Sequence, residues 1–312
     1  MQNILVCGSI AYDNIMDFPG LFRDQIIPEK IDAINISFLV NSLKRTRGGT
    51  APNIAYNLSL VGEKPIILGT AGRDFPEYAQ WLNQNGVSTE YVRILDNDYT
   101  ATCYITTDMS NNQITGFYPG AMSKDAEITL TGIDAAKIKM AIIAPTEPSA
   151  MVKWVSECTK LSIPYLYDPG MQIPRLSGKE LTEGIMGAKI AIFNEYEYDM
   201  MIEKTGLSEN DILNKVEILI QTLGSKGSIL KSRKDSITVN SARPANVVDP
   251  TGAGDAYRAG LLKGYFEGAS LDVMGKLASI SAVYAVEHKG GTEHKYTINE
   301  FYARYRENYG EI

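Results

Sequence analysis

Several kinds of site are excluded by what this sequence lacks. Only three cysteines, Cys7, Cys103 and Cys158, occur among 312 residues. They are far apart, odd in number and form no Cys-x-x-Cys pair. That usage fits reduced, mostly buried thiols in a cytoplasmic protein, not a disulfide framework or a zinc site. The only histidines are His288 and His294, with KGGTE between them reading as a loop. Two histidines leave a metal site short of ligands, and no Ser/His/Asp set is evident, so both are expected to be structural or solvent-exposed. Positive charge is scarce: 30 Lys and Arg stand against 37 Asp and Glu, for a net charge of -7 and a pI of about 5.1. Sequence-independent nucleic-acid binding needs a basic footprint and is therefore not expected. A local anion site built from backbone dipoles stays open. No uncharged apolar run approaches the roughly 20 residues that span a membrane. The start, MQNILVCGSIAYD, has no basic leader and its apolar run ends at Asp13, so no signal peptide is expected. Neither a Gly-Lys-Ser/Thr phosphate loop nor, after the first apolar run, a Gly-x-Gly-x-x-Gly turn is present.

Present in quantity is alternation. ILVCGSI (4–10), KPIILGTAG (64–72), MAIIAP (140–145), PYLYDP (164–169) and KIAIFN (189–194) read as buried strands. Between them lie helical patterns at 51–62, 77–86, 148–160 and 195–206. Such alternation predicts an α/β fold, with a Rossmann-like, mostly parallel central sheet and helices on both faces. Ligands of such sheets sit beyond the carboxyl ends of the strands. Two stretches break the pattern. In 14–47, INISFLV is flanked by polar residues; in 98–118, TATCYITTD and QITGFY suggest a hairpin around SNN. Both read as strands without an intervening helix, hence as a small β-sheet that leaves the main domain and could cover a site. Surface insertions without a role are the plain alternative. Further on, 218–232 and 235–241 read as strands, followed by helices near 254–267, 271–288 and 297–308.

The stretch VVDPTGAGDAYRAGLL (247–262) places flexible residues at a helix start, followed at once by a carboxylate. Gly252 and Gly254 lack a Cβ and let another group approach the backbone. The first N–H groups of the helix have no intrahelical partner and lie at the positive end of its dipole. With Ala253, they make an anion site from backbone alone. Asp255 then sits where negative charge is favoured and is expected to stay ionised at neutral pH. A carboxylate beside an anion hole suits phosphoryl transfer, since it can orient the attacking hydroxyl and accept its proton. An ordinary Asp and Gly helix cap is the competing reading.

DPTGAGD (249–255) resembles the C-terminal signature of the ribokinase (PfkB-type) sugar and nucleoside kinases. GGTAPN (48–53), GSIAYD (8–13), NEYE (194–197) and TLGSKG (222–227) resemble the family's other motifs, in order, over essentially the whole chain. The resemblance implies a ribokinase-like single domain, a β-sheet lid at about 14–47 and 98–118, and ATP-dependent phosphorylation of a primary hydroxyl. It implies substrate contacts from Asp13, Gly48, Gly49 and Asn53, with the sugar lying on bare glycine backbone. It implies nucleotide contacts along Asn194, Thr222, Gly224 and Gly227, and an adenine pocket that draws on 285–294. Mg2+ is expected with the nucleotide, ordered by Glu197 through water, with Asp168 in the same polar cluster. Asn194 and Glu197 also read as a capping box. Some family members bind K+ beside the anion hole, for which Asp249 and Thr251 are candidates.

NNQITGFYPGAM (111–122) bears on the acceptor and resembles the stretch found in prokaryotic adenosine and nucleoside kinases. Phe117 could stack on a purine and Met122 could pack its edge, or both could be core residues of a small sheet. The reading favours a nucleoside, adenosine above others, over ribose or a related sugar. A non-catalytic nucleoside sensor and a dinucleotide-dependent dehydrogenase are the rivals from other classes. Exposed lid strands could also pair two subunits into a homodimer.

Overall fold

Apolar runs become the interior of a nine-stranded sheet in the computed structural model, which describes residues 2–311. In chain order the elements are β1 (Asn3–Cys7), β2 (Ala11–Asp17), α1 (Phe22–Gln25), β3 (Ser42–Gly48), α2 (Thr50–Leu60), β4 (Pro65–Gly72), α3 (Pro76–Gln84), β5 (Ser88–Leu95), β6 (Ala101–Thr107) and β7 (Gln113–Tyr118). They continue with β8 (Ile138–Ile143), α4 (Pro148–Lys160), β9 (Tyr165–Tyr167), α5 (Gly178–Met186), β10 (Ile190–Asn194), α6 (Glu195–Thr205) and α7 (Glu209–Leu213). Last come β11 (Ile218–Thr222), β12 (Ser228–Lys231), β13 (Ser236–Val239), α8 (Ala253–Phe266), α9 (Leu271–Val286) and α10 (Ile298–Tyr309).

The large sheet runs β13-β12-β11-β10-β9-β8-β1-β4-β5. It is parallel from β11 to β5, and β12 and β13 join it antiparallel. Because side chains alternate along a strand, each run supplies two layers. Ile4, Val6, Ile190 and Ile192 pack toward α2, α3, α8, α9 and α10. Leu5, Cys7, Ala191 and Phe193 pack toward α4, α5, α6 and α7. All three cysteines are free, and Cys7 and Cys158 are buried. Among the described residues no helix is long and apolar enough to cross a membrane.

A second sheet, in the order β3-β2-β6-β7, leaves this body. The hairpin around SNN forms between β6 and β7, with Asn111 in the left-handed region at φ 61°. INISFLV does not form a strand: α1 and a 3-10 turn (Pro28–Ala33) lie in the same excursion, and residues 34–40 are irregular. Phe38 instead packs with Phe18 and Phe22 in an aromatic trio, while Ile34 and Leu39 stay exposed. The strand is SLKRTRG of β3, too polar to show an apolar alternation. Strand β5 and helix α5 also form where the pattern alone had indicated nothing.

Candidate active site

Helix α8 begins with Gly252 as its cap, at φ 79°. A side chain there would be strained, and a Cβ would come within 2.5 Å of the Gly291 Cα. The amide of Ala253 donates to the Pro250 carbonyl at 3.2 Å, and Ala256 returns to Gly252 at 2.9 Å. Ala253 is thereby taken out of the expected set of free donors. Among the described residues the amides of Gly252, Gly254 and Asp255 find no protein acceptor. Free donors at a helix start can receive an anion.

Asp255 lies in the first turn of α8, and its Oδ2 accepts from Asn53 Nδ2 at 2.9 Å. Burial raises its pKa to about 6, against the lowering influence of Arg258 and of the Asn53 hydrogen bond. Sequence reasoning expected the dipole to keep this group fully ionised. Desolvation outweighs that effect, yet the carboxylate remains the major form at neutral pH. Asn53 itself is 6 % exposed in the first turn of α2, which starts after Gly49 at φ 92°. The glycine pair makes room for the protein's own atoms. A Cβ on Gly49 would lie 2.5 Å from the Ser9 carbonyl, and one on Gly48 would lie 2.4 Å from Asp13 Oδ2. The β3–α2 junction therefore seats the Asp13 carboxylate against Gly48 and leads within a few residues to Asn53.

Asp13 sits within β2, not at the end of β1. Burial raises its pKa, and Asp249 adds to the effect. Across the small sheet Asp13 is paired with Cys103, and Cys103 with Phe117. Register partners share a face, so one row carries a carboxylate, a thiol and an aromatic ring. Phe117 is 52 % exposed. Met122 is buried instead, packed under Ala11 and Ala101 at the root of the sheet.

Asp168, Asn194 and Thr222 follow or end the neighbouring strands β9, β10 and β11, and Asn194 pairs with Thr222. Asn194 and Glu197 do form a capping box, each side chain bonding the other's backbone N–H at 2.8 Å. Burial and the charge of Asp168 raise the pKa of Glu197. Thr222, Gly224 and Gly227 line a largely apolar cleft of about 480 Å³ that reaches Ala253 and Gly254. Its other walls include Pro244, Val247, Tyr257 and Val283. From 285–294 only Val286 joins this lining. Toward the end of that segment His294 Nε2 meets Asn57 Oδ1 of α2 at 2.8 Å, and burial lowers the His294 pKa to about 4. His288 bonds the Tyr284 carbonyl, so both histidines serve the structure. The Asp249 carboxylate accepts from the amides of Thr251 at 2.9 Å and Gly290 at 3.0 Å, tying two loops together beside the helix start.

Sequence reasoning missed Arg258. It is 8 % exposed, and its Nε donates to Asp168 Oδ2 at 2.6 Å. The available signal was a lone arginine inside the apolar stretch AYRAGLL. The arrangement joins free amides at a helix start, a buried carboxylate in the same turn and an apolar cleft reaching Ala253 and Gly254, with the row of Asp13, Cys103 and Phe117 on the small sheet. It can receive a phosphoryl group between two ligands.

Residues 1–297 match the pfkB family carbohydrate kinase. A nucleoside kinase of Methanothermobacter thermautotrophicus is 30% identical over 295 residues, covering 93% of this chain and 91% of its own length. The structure of Burkholderia thailandensis nucleoside kinase in complex with inosine has a TM-score of 0.87 at 39% identity, covering 99% of this chain and 98% of that one. Its complex with ADP-inosine has a TM-score of 0.85 over 99% of this chain and 96% of that one. The nucleoside kinase of Methanocaldococcus jannaschii, a member of the ribokinase family, has a TM-score of 0.88 at 27% identity, covering 98% and 99% of the two chains.

Proposed function

The chain belongs to the pfkB family of carbohydrate kinases, and on that premise we propose that it moves the terminal phosphoryl group of ATP to the 5′-hydroxyl of a nucleoside, adenosine first among them. Its relatives named as nucleoside kinases support the acceptor class. The observation that carries the acceptor is the row Asp13–Cys103–Phe117. Two strand spacings separate its ends by about 10 Å, enough for ribose at one end and a base at the other. A free sugar would use Asp13 and leave Phe117 without a partner.

The ribose hydroxyls bond Asp13 and Asn53, since a carboxylate can accept from two of them. Oδ2 of Asp255 stays on Asn53, and its other oxygen takes the proton of the 5′-hydroxyl. The free amides of Gly252 and Gly254 receive the charge of the transferred group. ATP lies in the cleft along Thr222, Gly224 and Gly227, beside the Asn194 cap. Mg2+, when bound with the nucleotide, would supply charge neutralisation on its phosphates. Among the described residues no three His, Cys, Asp or Glu are grouped to hold a metal ion. The buried Asp168 Oδ1 has no partner. That donor set fits an ion held by phosphates and water, with Glu197 reaching the water shell. The small sheet, with 14–47 and 98–118, closes as a lid and limits wasteful hydrolysis. A homodimer through its outer strands and a K+ requirement at Asp249 and Thr251 belong to the same reading. Equilibrium sedimentation tests the first, and exchange of K+ for Na+ in the assay tests the second.

Coupled ADP release across adenosine, inosine, cytidine, ribose and fructose 6-phosphate decides the acceptor. Adenosine is expected to give the highest kcat/KM. Strong release on a free sugar with none on adenosine would turn the assignment to a ribokinase-like sugar kinase.

A further inference from the structure

Arg258 lies three residues past Asp255, on the same side of α8. From inside the core it makes two short bonds: Nε to Asp168 Oδ2 and Nη1 to the Gly254 carbonyl, both 2.6 Å. Gly254 is also a residue whose free amide opens the anion hole. A Cβ on it would come to 2.9 Å of Arg258 Nη1, so the guanidinium occupies the space that the glycine leaves. Groups face Asp255 from each element around it. Arg258 comes from its own helix, Asp168 from the end of β9, and Asn53 from α2. Tyr78 of α3, whose hydroxyl donates to the Gly48 carbonyl, feels the charges of both Asp255 and Asp13. Glu197 of α6 acts on Arg258.

We propose that Arg258 is a positioning residue for phosphoryl transfer: it clamps the Gly254 carbonyl to Asp168, fixing the helix start that bears the anion hole, and it keeps the Asp255 carboxylate charged. The inference rests on the reading of Asp255 as general base. Burial pushes the Asp255 proton affinity up, the guanidinium pulls it down, and Asp168 pushes it up again. Removing the two partners of one ion pair must therefore move Asp255 in opposite directions. An ion pair that does not act on Asp255 would leave its titration unmoved.

The test compares wild type, Arg258→Met, Arg258→Lys and Asp168→Asn. It follows the pH dependence of kcat/KM for adenosine and, independently of activity, the 13C titration of the Asp255 carboxyl, assigned with Asp255→Asn. In Arg258→Met the Asp255 midpoint and the acid limb rise by about one pH unit or more, so that turnover at pH 7 falls and partly recovers at pH 9. In Asp168→Asn both move down. Arg258→Lys keeps the charge and holds the midpoint near wild type while turnover drops from the lost clamp. An unmoved midpoint in folded Arg258→Met, or a midpoint that fails to fall in Asp168→Asn, overturns the proposal. The second variant and Arg258→Lys decide if Arg258→Met does not fold. A wild-type acid limb that departs from the Asp255 midpoint would instead refute the base assignment, while the carboxyl titrations still judge Arg258.

Discussion

Strand β4, PIILGTAG, is buried at every residue, whereas β7, QITGFY, is exposed at every residue. The two belong to sheets built on different terms. The large sheet is covered on both faces; its strand ends carry Asp168, Asn194 and Thr222, and Asp168 is bonded to Arg258 of α8. The small sheet buries little beyond Ala11, Ala101 and Met122 at its root. Phosphoryl chemistry needs donors that do not reorganise as charge develops. Acceptor binding needs a surface that can open and close. The division teaches that the rigid half should govern kcat and the thin sheet KM.

The sharpest way to break that division is Asp255→Asn. It should lower kcat by about 10²–10⁴-fold with nucleoside affinity nearly unchanged. Near-normal turnover by stopped-flow and steady-state assays would refute the base assignment. Asp13→Asn, on the other sheet, should raise the nucleoside KM by about 10–100-fold, the equivalent of losing hydrogen bonds to a charged group. A fall confined to kcat would erase the contrast between the halves.

Acidification gives a smaller effect, read at α8 in the acid limb of kcat. Burial holds the Asp255 pKa at about 6, and a general base acts only when deprotonated. Activity is then fully present above that value and falls about tenfold per pH unit below it. Asp255→Asn should abolish this limb in its residual rate. Smallest is Phe117→Ala, for which loss of about 1 kcal/mol of stacking raises the adenosine KM about fivefold. Because Phe117 is 52 % exposed, the melting temperature should hold, and any activity on ribose should be unaffected.

The same contrast governs what can be read from a chain. Buried strands such as β1, β4, β8 and β10 announce themselves as apolar runs, and the helix start at Gly252 shows in its glycines and the carboxylate that follows. Strands β3 and β5 lie at sheet edges with polar or mixed residues, so periodicity passes over them. Phe38 misled the reading of 34–40, since an apolar residue in an aromatic cluster looks the same in sequence as one in a strand. The sequence left Met122 open between a base-edge contact and a core residue, and its burial at the sheet root depends on Ala11 and Ala101 from distant strands.

By itself the sequence determined the layered α/β body, the glycine-rich start of α8 with its carboxylate and the order of the family motifs, because each of these rests on neighbours within a few residues. Tertiary structure alone decided that Asn53 would hold Asp255 across 202 positions and that Arg258 would clamp Asp168 across 90. It also decided that desolvation would raise the Asp255 pKa in spite of the helix dipole. Those outcomes depend on which groups share a water-poor space, and chain proximity carries no information about that.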